Sequence, residues 1–380
     1  MNPRLGIICR PKYLTILIRQ NAMQQSNAFQ AALLLKPFSI GLLTFVAWAV
    51  GDVNADDLLV SRPPATAVKR ACDYSMRQKG QSFIVMFDGQ TIAEEYAGGG
   101  SADRLQMLAS GSKSFVGVAA AAAVEDGIFA LDDAVCDSLN WWKNDSQKSR
   151  ITYRQLLSLT SGLKASEQGF MRVQPSWRDQ ADGPMTGKPG EQFQYGANQL
   201  NTFALALQQS LGSETFEAYL KRRVLDPIGI KIAWRGRCAD GNPQVAGGGF
   251  ITSRDWATFG QFVCSEGSFN GKQVIAAEHL AECFKGTDAN PAYGLTWWLK
   301  QPVSPQLVRS NTILRSEWAD VANANELPGD AFAACGAGKQ RLYVIPSRKL
   351  VVVRQSGFGG REFSDLTLLR HLLDAESAEN

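Results

Sequence analysis

The sequence predicts an α/β (α+β) fold: an antiparallel sheet built from both chain ends and flanked by helices, with a helical subdomain inserted over about residues 136–245. Three observations carry this reading. Strand-like segments with turn residues between them stand at 82–97 and again at 341–354. A nearly all-apolar, Ala-rich segment at 112–126 reads as a buried helix. Between about 136 and 245 the chain alternates helical patterns with loops.

Ser82–Phe87 reads as a strand, Asp88-Gly89 as a tight hairpin turn, and Thr91–Ala97 as the return strand. Gly98-Gly99-Gly100 breaks the pattern. Ser112–Asp126 follows as a helix without a polar face, which implies burial, and Gly127 is its expected C-terminal cap. Thr152–Leu159 is a short helix ended by Thr160-Ser161-Gly162. Residues 164–192 are rich in polar residues, Gly and Pro and read as surface loop. Helices are expected at Asn198–Leu211, Thr215–Val224 and Ser253–Val263, the last capped by its Ser, with Asp255 in the first turn. Arg341–Ile345 and Leu350–Arg354 pair across Pro346-Ser347-Arg348, and Phe363–Leu373 closes the chain as an amphipathic helix.

Composition excludes several functions. The 380 residues carry a formal charge of +3, but residues 1–55 alone hold five basic side chains and one acid. The remainder has a net charge of −1, so charge argues against a nucleic-acid partner. The two histidines, His279 and His371, exclude a multi-histidine metal site, and no cofactor is implied. Of seven cysteines none forms a CxxC pair. Cys238, Cys264 and Cys283 are candidates for one disulfide, or all are buried free thiols.

The chemistry centres on Ala109-Ser110-Gly111-Ser112-Lys113. Three residues apart at the start of a helix, Ser110 and Lys113 share a face. A serine hydroxyl is a weak nucleophile without an adjacent base, and a lysine becomes that base when burial lowers its pKa. The competing reading is a capping serine followed by a lysine that reaches solvent.

With further segments the chain resembles the serine beta-lactamase and penicillin-binding-protein superfamily, in its class C-related branch of esterases and amide hydrolases. The segments are Ile151-Thr152-Tyr153-Arg154-Gln155-Leu156-Leu157-Ser158-Leu159-Thr160-Ser161-Gly162-Leu163, Pro189-Gly190-Glu191-Gln192-Phe193-Gln194-Tyr195, Leu225-Asp226-Pro227-Ile228-Gly229, Ala246-Gly247-Gly248-Gly249-Phe250 and Tyr293-Gly294-Leu295-Thr296-Trp297-Trp298. The resemblance covers about residues 70–375 and implies a beta-lactamase/transpeptidase-like fold over a single domain, 56–380. It also implies that Ser110 is the acylated nucleophile and that Lys113 takes its proton or readies Tyr195. Tyr195 would be a general base whose phenol Lys113 lowers from about 10. The backbone N–H groups of Ser110 and Ala337 would form the oxyanion hole.

Two motifs depart from the family pattern. The second reads Tyr195-Gly196-Ala197-Asn198, which puts Ala197 where a substrate-binding Asn is usual and leaves Asn198 as its substitute. The third reads Ala334-Cys335-Gly336: Ala334 replaces a cation, Cys335 replaces a hydroxyl or is merely packed, and Gly336 survives. Lys339, or less directly Arg354, is a candidate replacement for the cation. Trp177, Trp234, Trp297 and Trp298 are available to line an apolar cleft. The expected function is therefore a serine hydrolase acting through an acyl-enzyme on a small-molecule ester or amide. The alternatives are a D,D-peptidase or beta-lactamase, and a non-catalytic binding protein of this fold.

Residues 1–55 read as a signal peptide or leader. Lys36 precedes an uncharged run, Pro37–Gly51, too short to span a bilayer, and Val53-Asn54-Ala55 offers a small-residue cleavage site. This implies a periplasmic or secreted enzyme, with membrane contact only if the leader stays uncleaved. N-terminal sequencing of the exported protein is expected to begin at Asp56; a sequence starting at Leu5 or Met23 would contradict cleavage.

Overall fold

Helix α1 (Ala65–Arg77) leads into the hairpin of β1 (Gly80–Phe87) and β2 (Gln90–Tyr96), whose turn residues Asp88 and Gly89 both take positive φ. That is the conformation the Asp-Gly pair is suited to. These positions come from a computed structural model, which describes residues 60–165, 173–357 and 362–374. The described residues belong to one unit, Asn54–Asn380. The expected leader lies outside the described residues.

A two-residue strand β3 (Gln106–Met107) and a 3-10 turn, Ala109–Ser112, open helix α2 (Lys113–Glu125). Eleven of its thirteen residues are buried, as an all-apolar helix requires. Gly127 follows its C-cap with φ +70°. The helical subdomain holds α3 (Tyr153–Leu157), α4 (Trp177–Ala181), α5 (Asn198–Ser210) and α6 (Phe216–Leu220), the last continued by a π turn. Thr152 and Gln155 form a reciprocal capping box on α3.

Two short strands, β4 (Ala233–Trp234) and β5 (Gly249–Ile251), join β3 in a three-stranded antiparallel ribbon with β5 in the centre, and α7 (Ser253–Cys264) follows. A small hairpin, β6 (Ser268–Phe269) and β7 (Lys272–Gln273), and the short helix α8 (Ala277–Ala281) lead to β8 (Trp298–Leu299). Helices α9 (Pro305–Ser310), α10 (Thr312–Glu317) and α11 (Ala319–Asn323) precede β9 (Phe332–Gly336), β10 (Gln340–Ile345), β11 (Leu350–Ser356) and α12 (Asp365–Leu373). The main sheet is antiparallel in the order β2-β1-β11-β10-β9-β8, so the two chain ends meet at β1 and β11. This is the predicted architecture.

Helix α7 covers one sheet face closely. Its Gly260 leaves no room for a Cβ, which would meet Leu342 and Val351 side chains at 2.5 and 2.6 Å. On the opposite face α12 packs through Asp365, which reaches Arg341 and Tyr343.

Three expectations need correction. Residues 164–192 are not all surface loop: α4 lies within them and its Trp177 is fully buried, with its indole N–H donating to Pro243 O. The cap of α7 is Thr252, whose hydroxyl accepts from Asp255 N–H. Six cysteines are described and all are free, so Cys238, Cys264 and Cys283 form no disulfide.

Candidate active site

The site grows from the 3-10 turn that carries Ser110. Ala109, fully buried, sits at φ +47°, a left-handed conformation that costs a residue with a Cβ about 1–2 kcal/mol. Surrounding bonds hold it there. Leu108 N–H donates to Gly249 O (2.9 Å), Ser112 Oγ donates to Ala109 O (2.7 Å), and Gly249 N–H donates back to Ser112 Oγ (3.1 Å). A side chain at Gly249 would meet Ser112 Oγ at 2.9 Å. The glycine run at 247–249 therefore lets β5 lie directly against the serine turn.

From the other side β9 closes in. A Cβ at Gly336 would lie 2.0 Å from Leu108 O and 3.0 Å from Gly111 N, so backbone rests on backbone there. Strand β8 pairs only with Ala333 and Phe332, which leaves Ala334–Gly336 as the free edge of the sheet beside Ser110.

Lys113 occupies the first turn of α2 and is 4% exposed. Its Nζ lies 2.9 Å from Ser110 Oγ and 2.8 Å from Ala246 O. Burial pushes its pKa down to about 7. The same Nζ stands 4.7 Å from the centroid of the Tyr195 ring, over its face. Tyr195 is held in a loop tied back to the end of α3: Gln194 N–H donates to Leu159 O, and Gln199 from α5 bridges Gln194 O and Ser161. The Tyr195 ring stacks on Trp298 and meets the edge of Tyr293. Its phenol is raised above 10, chiefly by burial, although a hydrogen bond with Ser110 pulls the other way.

A half-buried serine hydrogen-bonded to a buried lysine under a tyrosine, at the junction of an antiparallel sheet and a helical subdomain, defines a serine-hydrolase-like fold of the beta-lactamase and penicillin-binding-protein superfamily. Residues 68–375 match the Beta-lactamase family, and the chain belongs to it. An uncharacterized protein of Alkalihalophilus pseudofirmus is 24% identical over 307 residues, covering 74% of this chain and 85% of that one. Two solved structures show the same fold. A family VIII carboxylesterase superposes with TM-score 0.62 at 15% identity, over 83% of this chain and 99% of the other. A penicillin-binding protein homolog from Caulobacter crescentus does so with TM-score 0.60 at 15% identity, over 84% and 99%. Among the described residues no helix is long and apolar enough to cross a membrane, and no cluster of three His, Cys, Asp or Glu side chains could hold a metal.

The structure brings Ser110, Lys113 and Tyr195 together, with Gly336 against the serine turn. Ala337 is exposed in the turn after β9. Ala334 is buried within β9. Cys335 is buried opposite Arg341, and burial drives its thiol pKa up, which leaves it a neutral packed group. Asn198 begins α5, and its amide donates to Lys164 O at 2.9 Å, a strut to the neighbouring loop.

Several roles expected from the sequence change. Lys113 does not lower the Tyr195 phenol: its amine is itself pushed toward neutrality and lies over the ring face, so it brings little charge to the oxygen. Lys339 donates to Ser316 O and pairs with Glu317 and Asp365. Arg354 is buried on Lys339 O and Gln78 O. Neither stands in for the cation missing at Ala334. Trp177 and Trp297 are core residues, and Trp298 packs on Tyr195. Ala246 and Tyr293 were legible only as parts of motifs, and Trp298 only as part of a motif and one of four tryptophans available to a cleft, not as the acceptor and ring contacts around Lys113 and Tyr195.

Gly336→Ala is expected to lower stability by about 1–3 kcal/mol, because neither contact is a flexible side chain. Thermal melting should show a clear drop beside a near-unchanged Ala337→Ser control. Equal melting temperatures would contradict the close approach.

Proposed function

We propose that this chain is a serine hydrolase that cleaves a carboxylic ester or amide through an acyl-enzyme on Ser110. The observation that carries the reading is the Lys113 amine, 2.9 Å from Ser110 Oγ and desolvated to a pKa of about 7. A substantial fraction of it is neutral at ordinary pH, which is the form that accepts a proton.

In this mechanism Ser110 Oγ bonds to the substrate carbonyl carbon and its proton passes to Lys113 Nζ. The carbonyl oxygen becomes an oxyanion facing the N–H groups of Ser110 and Ala337. The C–O or C–N bond to the leaving group then breaks. Tyr195, a neutral phenol, donates a proton to the departing atom and is reprotonated by Lys113. Water repeats the sequence on the acyl carbon: its proton goes to Lys113, the bond to Ser110 Oγ breaks, and Ser110 regains its hydrogen.

The substrate class follows from what the site does not offer. With Ala334 in place of a cation, and Lys339 and Arg354 engaged elsewhere, a substrate carboxylate would be desolvated without a partner. Esters or amides lacking that anionic group are favoured over penicillins. The basic and apolar leader supports action in the periplasm or outside the cell.

Intact-mass analysis after fluorophosphonate treatment, run beside an ester and penicillin panel, tests this. The expected result is one adduct on Ser110, turnover of short p-nitrophenyl esters and slow turnover of benzylpenicillin. Ser110→Ala should abolish turnover, and Lys113→Ala should lower kcat by about 10³-fold or more. Efficient penicillin hydrolysis would overturn the specificity. A folded protein without an adduct would overturn the chemistry.

A further inference from the structure

The turn from β9 to β10, Gly336-Ala337-Gly338-Lys339-Gln340, has four of its five carbonyls captured by side chains. Arg341 donates from Nη1 to Gly336 O (3.1 Å) and Gln340 O (3.0 Å). Arg354 donates to Lys339 O (2.7 Å), and Ser356 Oγ donates to Gly338 O. Arg341 is fully buried, and carboxylates fix its other nitrogens. Asp365 accepts from Nε and Nη2, and Glu317 accepts from Nη2 at 2.7 Å. Tyr343 donates its hydroxyl to Asp365 Oδ1 (2.7 Å). Stability alone is a weak reason for so costly a cluster, since apolar replacements of buried ion pairs are often as stable.

Peptide geometry ties the cluster to the site. The Gly336 carbonyl and the Ala337 N–H belong to one planar unit and, in its trans form, point in opposite directions. Arg341 holds the carbonyl end, so the N–H is directed away from the guanidinium. Gly336 is also the residue whose backbone rests against Leu108 and Gly111, on either side of Ser110. A cation on the carbonyl oxygen polarises the whole peptide and makes its N–H a stronger donor.

We infer that Arg341 is a positioning residue which, through the Gly336 carbonyl, aims and polarises the Ala337 N–H that receives the oxyanion, while Asp365 and Glu317 hold the guanidinium in place. This rests on the acyl-enzyme reading above. It assigns the buried cation of β10 to the reaction rather than to substrate binding.

The test uses the full chain with Arg341→Lys, which keeps the charge balance, and the double change Arg341→Gln with Asp365→Asn, which strands no buried ion. Circular dichroism and melting establish folding. For p-nitrophenyl acetate, kcat should fall about tenfold or more in each variant, up to the roughly 10²–10³-fold known for losing an oxyanion donor outright, while KM stays within about twofold. Affinity for phenylboronic acid, whose tetrahedral adduct on Ser110 places an oxygen in the same position, should fall in step with kcat. A folded variant with kcat and boronate affinity within about twofold of the unmodified chain would overturn the inference. Loss of folding in both variants would also count against it, assigning Arg341 to the fold alone. An unmodified chain that neither hydrolyses esters nor labels at Ser110 would instead defeat the acyl-enzyme reading.

Discussion

The Lys113 amine lies in the protein interior with two oxygen acceptors, Ser110 Oγ and Ala246 O, and burial is the dominant influence on its protonation. Desolvation penalises the ammonium form, and a neighbouring carboxylate would have restored it. The apolar character of α2 follows from this constraint. A helix buried nearly all round shields the amine from water, and the Ala-rich sequence lets other elements approach closely enough to complete the seal.

Close approach is the second theme. Gly249 admits β5 to one side of the serine turn and Gly336 admits β9 to the other, each where a methyl group would collide. The strained Ala109 between them persists because Leu108 and Ser112 are tied to Gly249. Tyr195 comes from a different part of the chain, across the helical subdomain, and is secured by Gln199 and by stacking on Trp298. The sheet edge, the buried helix and the subdomain loop thus each supply one part of the site.

Much of this was legible in the sequence, for identifiable reasons. The strand segments on either side of the Asp88-Gly89 turn and the apolar segment at 112–126 are local patterns, and both formed as read. The Ser110–Lys113 spacing fixes a shared helix face regardless of context. Interactions between distant segments were not legible. The burial of Trp177 inside a polar stretch depends on Pro243 and Phe216, and nothing local announces it. The direction of the Tyr195 shift depends on where Lys113 Nζ lies relative to the ring, which spacing does not specify. Likewise Arg341 looks like an ordinary strand arginine until Asp365 and Glu317, 24 residues away on either side, are seen to converge on it.

The protonation state of Lys113 is the centre of the account, and it is directly measurable. Site-resolved NMR of the Lys113 side chain, in protein carrying isotope-labelled lysine and assigned by comparison with a Lys113→Arg variant, follows its titration with pH. The structure predicts a midpoint of about 7, with the amine mostly neutral above it and protonated below. A midpoint near the ordinary lysine value of about 10.4 would contradict the account, because Ser110 would then have no neutral amine beside it to take its proton.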